Sequence, residues 1–259
     1  PAHPNQLYRS NRDGTFTDVA KASGVDGVSF VKGVTLGDID NDGLVDVYLS
    51  NMNGDNILYH NESDSELHFR DISVEAGVQE PYISFPTWFW DYDNDGWQDL
   101  FVAGFDLASL DDMVDVHLNR PFEAETPRLY HNRGDLTFTE RATQMGLDRI
   151  TLSMGANFGD IDNDGWLDAY FGTGMPDMRI LVPNRMVRND GGKRFVDVTS
   201  SGGFGTLQKG HGISFGDIDH DGDQDIYQIL GAAFEGDTYE NGLLENPGQG
   251  NHWLTLDLE

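Results

Sequence analysis

The chain has 259 residues, no cysteine, and 45 Asp and Glu against 16 Lys and Arg, a formal charge of −29. That surplus repels phosphate backbones and anionic lipid, so no nucleic acid or membrane partner is expected and cations become the natural counter-charge. The missing thiols exclude a disulfide framework and zinc–thiolate sites, and no apolar run approaches the roughly 18 to 20 residues of a spanning helix, so no membrane insertion is expected.

In chain order, residues 1–26 open on a hairpin signal, LYRSNRDGTFTDVA from Leu7, with no acidic loop ahead of it. Residues 27–79 carry GDIDNDGLVD and then LYHNESDSELHFRDIS from Leu58. Residues 80–147 carry WDYDNDGWQD and LYHNRGDLTFTERA, and residues 148–204 carry GDIDNDGWLD and MVRNDGGKRFVDVT. Residues 205–259 carry GDIDHDGDQD and a reduced second element, LLENPGQGNHWLTLDL from Leu243. Each full unit reads strand, acidic loop, strand, connection, strand, turn, strand. That pattern predicts an all-β fold, a single β-propeller segment over 1–259, with four-stranded blades and about four and a half of them in this chain.

The strand before each acidic loop alternates, with Leu36, Phe89, Phe158 or Phe215 two residues ahead of the first Asp and Val34, Thr87, Ala156 or Ile213 four ahead. This predicts one packed face. The strand after the loop is nearly continuous in apolar residues (Val47–Leu49, Leu100–Val102, Ala169–Phe171, Ile226–Tyr227), as for a strand covered on both sides. Two units carry inserts, 105–128 with partly helical spacing and 173–185 as an ordered loop, suited either to binding or to capping blade edges.

All four acidic loops fit D-x-D-x-D-G-x-x-D. A hard cation such as calcium takes six to eight oxygen ligands, and alternate carboxylates on a tight loop present them from one side. By analogy with the EF-hand loop, positions 1, 3 and 5 supply side chains, position 7 a backbone carbonyl, and the glycine at position 6 the sharp turn. An Asp at position 9 closes the loop where the EF-hand uses a later Glu. The expected ligands are therefore Asp38, Asp40, Asp42, Leu44 and Asp46; Asp91, Asp93, Asp95, Trp97 and Asp99; Asp160, Asp162, Asp164, Trp166 and Asp168; and Asp217, Asp219, Asp221, Asp223 and Asp225. About four Ca2+ ions follow. For a single such loop, a metal-free Asx-rich turn is the competing reading, and four complete copies count against it.

These loops, each followed by an LY-x-N and F-x-D-V hairpin, resemble the FG-GAP (VCBS-like) repeats of integrin-type propellers. The stretch from Gly172 onward, with LVPNRM, RNDGGKRFVDVT, LQKGHG and ENPGQGNHWLTLDLE, is similar to the ASPIC/UnbV group. The resemblance implies calcium in the blade loops, an extracellular or periplasmic location, and adhesion or matrix interaction through a protein or glycan ligand, with no common catalytic chemistry. It also implies an acidic loop before the first hairpin and a further domain after NHWL, neither of which this sequence contains. The expectation is that the missing inner strands come from a longer parent chain or, as self-association through incomplete terminal blades, from a second copy in a structural polymer.

Other signals carry less. Gly212 to Gly216 matches the G-x-S-x-G nucleophile elbow, but Ser214 falls within a predicted strand where the elbow needs a strand-to-helix turn, and the nearby His211 does not make a triad. His60 and His131 read as packing residues of the third strands, and His220 as a substitution at loop position 4. Trp88 and Trp90 suggest either a sugar-stacking platform or residues covered by the 105–128 insert. Asn61-Glu62-Ser63 fits the glycosylation sequon. A polysaccharide-acting enzyme would need pairs such as Asp111 and Asp112, or Glu123 and Glu125, as acid and base. The chain is expected to be no enzyme.

Overall fold

A computed structural model describes residues 3–107, 109–118, 120–175, 177, 180, 182–231, 235–248 and 250–251. Two compact units divide the chain, one of residues 1–90, 96–104 and 127–141, the other of residues 91–95, 105–126 and 142–259.

The first unit opens on a two-stranded hairpin, β1 (Tyr8–Ser10) and β2 (Phe16–Asp18), followed by the helical turn α1 (Ala20–Ser23). Tyr8 and Phe16 on this hairpin are exposed, and one isolated bridge joins Pro4 to Val28. A four-stranded antiparallel sheet comes next, β3 (Val31–Gly37), β4 (Asp46–Asn51), β5 (Ile57–Asn61) and β6 (Phe69–Asp71), its strands adjacent in chain order. After the turn α2 (Ser73–Ala76), β7 (Ser84–Trp90), β8 (Asp99–Gly104), β9 (Arg128–Asn132) and β10 (Phe138–Glu140) repeat that meander. In the second unit lie α3 (Leu110–His117), α4 (Ala142–Met145), a third meander of β11 (Ser153–Gly159), β12 (Asp168–Thr173), β13 (Arg185–Asn189) and β14 (Phe195–Asp197), and a three-stranded sheet of β15 (Gly210–Gly216), β16 (Asp225–Leu230) and β17 (Gly242–Leu244). The predicted fourth strand of the last repeat falls on residues 252–259, outside the described residues.

The recurring F-x-D segment explains the turn that follows the outer strands. Asp18 accepts the Ala20 N–H at 3.0 Å, Asp71 that of Ser73 at 2.9 Å, and Asp197 that of Thr199 at 3.0 Å, satisfying donors that a single helical turn leaves open. Gly24 and Gly77 then end α1 and α2 in the left-handed region, at φ 86° and 74°.

Sheets pack face to face by a repeated knob. Phe89 of β7 covers Gly37 of β3 so closely that a methyl group there would lie 2.8 Å from its ring, and Phe215 of β15 covers Gly159 of β11 with 2.6 Å left. The first knob enters a core of Tyr48, Leu58, Leu100 and Tyr130, the second one of Tyr170, Met186, Ile213 and Ile226. Burying such a ring stabilises by about 1.5 to 3 kcal/mol. β8 and β12 are buried at every residue, as the apolar runs predicted.

Two faces depart from that expectation. Val34 and Leu36 of β3 are 59% and 62% exposed, although they hold the positions of Ile213 and Phe215. Tyr227 and Ile229 of β16 are likewise exposed, and a methyl group on Gly216 would meet nothing within 4 Å. The sequence pattern makes these faces apolar, but burial needs a neighbour: Leu7, Ala20 and Val25 cover the first face only at Leu49, Tyr59 and Phe69, and among the described residues no sheet packs over Val34 and Leu36 or over Tyr227 and Ile229.

The inserts fold together. Ala124, Ile150, Leu152, Ile180 and Val182 form a satellite core joined by Phe105, Met113, Val116 and Phe122, and the buried Lys209 Nζ donates to the Ile180 carbonyl at 2.6 Å.

Candidate cation loops

In the loop joining β3 to β4, the Asp38 carboxylate accepts the N–H groups of Asp42 at 3.1 Å and Gly43 at 2.9 Å, and Asp42 accepts that of Leu44 at 2.7 Å. The loops 160–168 and 217–225 repeat these bonds. Asp160 accepts Asp164 and Gly165 at 3.0 and 2.9 Å, and Asp217 accepts Asp221 and Gly222, each at 3.1 Å. Asp164 takes the N–H of Trp166 and Asp221 that of Asp223. The position-6 glycines Gly43, Gly165 and Gly222 have φ 86°, 88° and 95°, so the backbone can turn inward there only because no side chain obstructs it.

Carboxylate oxygens of Asp38, Asp40 and Asp46 lie within 4.8 Å of one another, as do those of Asp160, Asp162 and Asp164, and those of Asp91, Asp93 and Asp95. Asp91, Asp93 and Asp95 belong to the second unit, while Trp97 and Asp99 belong to the first. Asp162 Oδ1 is buried without a hydrogen-bond partner among the described residues, the environment a cation would complete. Burial pushes Asp168 up to about 7, against the opposing pull of two backbone N–H donors, and burial likewise raises Asp46. At Asp168 the neighbouring Asp162 and Asp164 carboxylates add to the effect of burial.

The position-9 aspartates do more than close the loop. Asp46, Asp168 and Asp225 are buried, and each accepts two backbone N–H groups. One comes from its own loop (Ile39, Ile161, Ile218) and one from the third strand or its equivalent (Asn61, Asn189, Asn246), at 2.7 to 3.0 Å. Asp99 accepts the N–H of Asn132 in the same way, at 2.8 Å. The lone pairs left over remain open to a metal, so these aspartates are both fastener and candidate ligand.

Three residue sets were not assigned this role by sequence reading. The Asn of LY-x-N is a clamp. Asn132 Nδ2 donates to the carbonyls of Gln98 and Ile39, Asn189 to those of Leu167 and Tyr92, and Asn246 to those of Gln224 and Ile161, tying each loop to the one before it. Asn61 donates to Val45 at 2.9 Å and is buried, which removes its amide from the reach of glycosylation in the folded chain. The Asn at loop position 4 points the other way. Asn41, Asn94 and Asn163 adopt φ of 52° to 58° and donate to the carbonyls of Gly96, Gly165 and Gly222 in the following loop. Finally, His60 is no simple packing residue, since its Nε2 lies 3.0 Å from Asp40 Oδ2, and His131 Nδ1 lies 3.2 Å from Asp99 Oδ1. The recurrence of LY-x-N was the available signal, but it names no partner.

The remaining candidates resolve simply. Ser214 lies exposed in the middle of β15, opposite Tyr227, with no strand-to-helix elbow. Trp88 and Trp90 are buried, Trp88 stacked on Phe101 at 4.3 Å and Trp90 edge-on to it, so they offer no open sugar platform. Asp112 is buried and accepts the N–H groups of Ser109 and Glu123, holding the start of α3, while its neighbour Asp111 is exposed. No helix among the described residues is long and apolar enough to cross a membrane.

The FG-GAP-like repeat family model matches residues 1–49, 38–102, 91–171 and 172–227. Cartilage acidic protein 1 of Homo sapiens is 32% identical over 168 residues, covering 64% of this chain and 24% of that protein. The Mus musculus protein of the same name is 30% identical over the same shares, and the Xenopus tropicalis one 39% identical over 74 residues, 28% of this chain and 11% of its own. The chain thus spans about a quarter, or less, of the length of these relatives.

Proposed function

We propose, because this chain belongs to the FG-GAP-like repeat family, that it is a calcium-loaded β-propeller segment working as a binding module outside the cytoplasm, and not as an enzyme. Each loop holds one ion through positions 1, 3, 5 and 9 and the carbonyl of Leu44, Trp166 or Asp223. The motif recurs at 91–99, where Asp91, Asp93 and Asp95 of the second unit converge in the same way. The observation that carries it is the convergence of carboxylates in each unit, with Asp162 Oδ1 buried and unpartnered among the described residues. A hard dication partners such oxygens. The binding role follows the family and a rigid repeated scaffold; the protein or glycan ligand and the extracellular setting follow relatives named for cartilage, a tissue of extracellular matrix. The acid pairs an enzyme would need speak against catalysis, since Asp112 already serves two backbone donors.

Chelation tests it. At a hundredfold excess over its dissociation constant, each ion stabilises the fold by about 2.7 kcal/mol, so EDTA should lower the melting temperature markedly and added calcium restore it. Dissociation constants of about 10⁻⁴ to 10⁻³ M are expected for an extracellular module. An unchanged melting curve in protein shown beforehand to be calcium-loaded would refute the reading.

A further inference from the structure

We propose that Arg188 sets the cation affinity of the loop 160–168, making it a weaker site than the loop 38–46. The proposal rests on the calcium reading above and adds an order among the loops. His60 and Arg188 occupy the same place in their repeats, the third residue of LYHN and MVRN, on β5 and β13. Each reaches position 3 of its own loop, His60 Nε2 lying 3.0 Å from Asp40 Oδ2 and Arg188 Nη1 lying 3.1 Å from Asp162 Oδ2. The distances agree; the chemistry does not.

A guanidinium is charged at every pH the fold meets and carries no lone pair for a metal. Arg188 therefore occupies one oxygen of Asp162 and fixes a positive charge beside the carboxylates of Asp162, Asp164 and Asp168, whose fields all act on it. An incoming dication finds one donor engaged and a like charge in place. An imidazole, unlike a guanidinium, carries no obligatory positive charge, so His60 can donate its Nε2–H to Asp40 Oδ2 without fixing a like charge beside the ion. Calcium loops tune their affinity by ligand charge count, and one unit of charge at this separation corresponds to about tenfold in affinity. As calcium falls, loop 160–168 empties first while loop 38–46 stays filled.

Trp166 at position 7 provides the readout, because a tryptophan beside a bound lanthanide sensitises its emission. The titration uses terbium on the full chain in a W97F background, and W166F identifies the signal of loop 160–168 by abolishing it. R188Q keeps a hydrogen-bonding side chain without the charge and is expected to lower the terbium midpoint about tenfold, whereas R188K should stay within about twofold of the parent. Strong Trp166-dependent emission with the same midpoint in R188Q and the parent overturns the assignment of Arg188 and leaves the calcium reading standing. Absence of emission in every variant, together with no calcium heat by calorimetry, overturns the calcium reading and this proposal with it. Should R188Q fail to fold by circular dichroism, H60R carries the test. It must weaken calcium binding to loop 38–46 by a similar factor, and an unchanged calorimetric affinity overturns the proposal.

Discussion

Loops 38–46 and 217–225 have the same acidic pattern and the same internal hydrogen bonds, yet differ in what stands beside them. Ile39 at position 2 of the first is 1% exposed, its carbonyl held by Asn132, while Asn41 reaches the Gly96 carbonyl. Ile218 at position 2 of the last is 52% exposed, and no side chain among the described residues donates to its carbonyl. The D-x-D-x-D-G-x-x-D motif therefore folds a loop by itself but does not anchor it. Anchoring comes from the next sheet, through a Phe knob and two Asn side chains.

The knob gives the largest way to break the comparison. Phe89 and Leu36 hold the same repeat position, two residues before the first Asp, but Phe89 is buried over Gly37 and Leu36 is exposed. Phe89→Ala should cost about 3 to 5 kcal/mol in denaturant unfolding, through lost burial and the cavity left in the Tyr48 core. Leu36→Ala should stay within about 0.5 kcal/mol, as for a surface substitution. Equal costs would mean that the two faces are equally packed in solution.

Much of this was legible in the sequence, and the boundary is physical. The four repeats, their strand order and the converging carboxylates follow from Asp and Gly at fixed offsets, because a tight loop leaves the backbone few choices. The partially helical reading of 105–128 holds in Leu110–His117. What escaped were interactions that close over long separations, such as Asn132 to Ile39 and Asn189 to Tyr92, 93 and 97 residues apart. An Asn after a strand is equally a turn residue or a sequon, and its partner cannot be read from its neighbours. Burial of the alternating faces escaped for a similar reason: Val34 and Leu36 look like core because the pattern records what a face would accept, not whether anything covers it.

The clamp comes next in size. Asn132→Ala removes a buried hydrogen bond to the Ile39 carbonyl, a part-buried one to the Gln98 carbonyl and the one its Oδ1 accepts from the Gly134 N–H, at about 1 to 3 kcal/mol for each buried group left unsatisfied. It also turns loop 38–46 into a loop anchored like 217–225. Calcium affinity at loop 38–46 should therefore fall along with stability, measured by calorimetry on the folded variant. A stability loss with unchanged calcium affinity would separate the clamp from the cation site.

The smallest effect lies at loop position 4, where Asn41 and His220 both adopt the left-handed conformation, at φ 58° and 64°. In each case replacement by Ala gives up a side chain in a region that Asn tolerates better than Ala, a shared backbone cost of about 1 kcal/mol or less. Only Asn41 also loses a hydrogen bond, 3.2 Å to the Gly96 carbonyl, and because that bond is exposed its net worth lies at the low end, near 0.5 kcal/mol. Asn41→Ala should thus be more destabilising than His220→Ala by about 0.5 kcal/mol, a difference within reach of matched denaturant titrations in saturating calcium. His220→Asn sharpens the result. If Asn at this position acts through the following loop, restoring it where no following loop is described should add no bond, and the variant should match the parent within about 0.5 kcal/mol. A clear gain from His220→Asn would show that Asn acts within its own loop, and the link from loop to loop would then lose its role in stability.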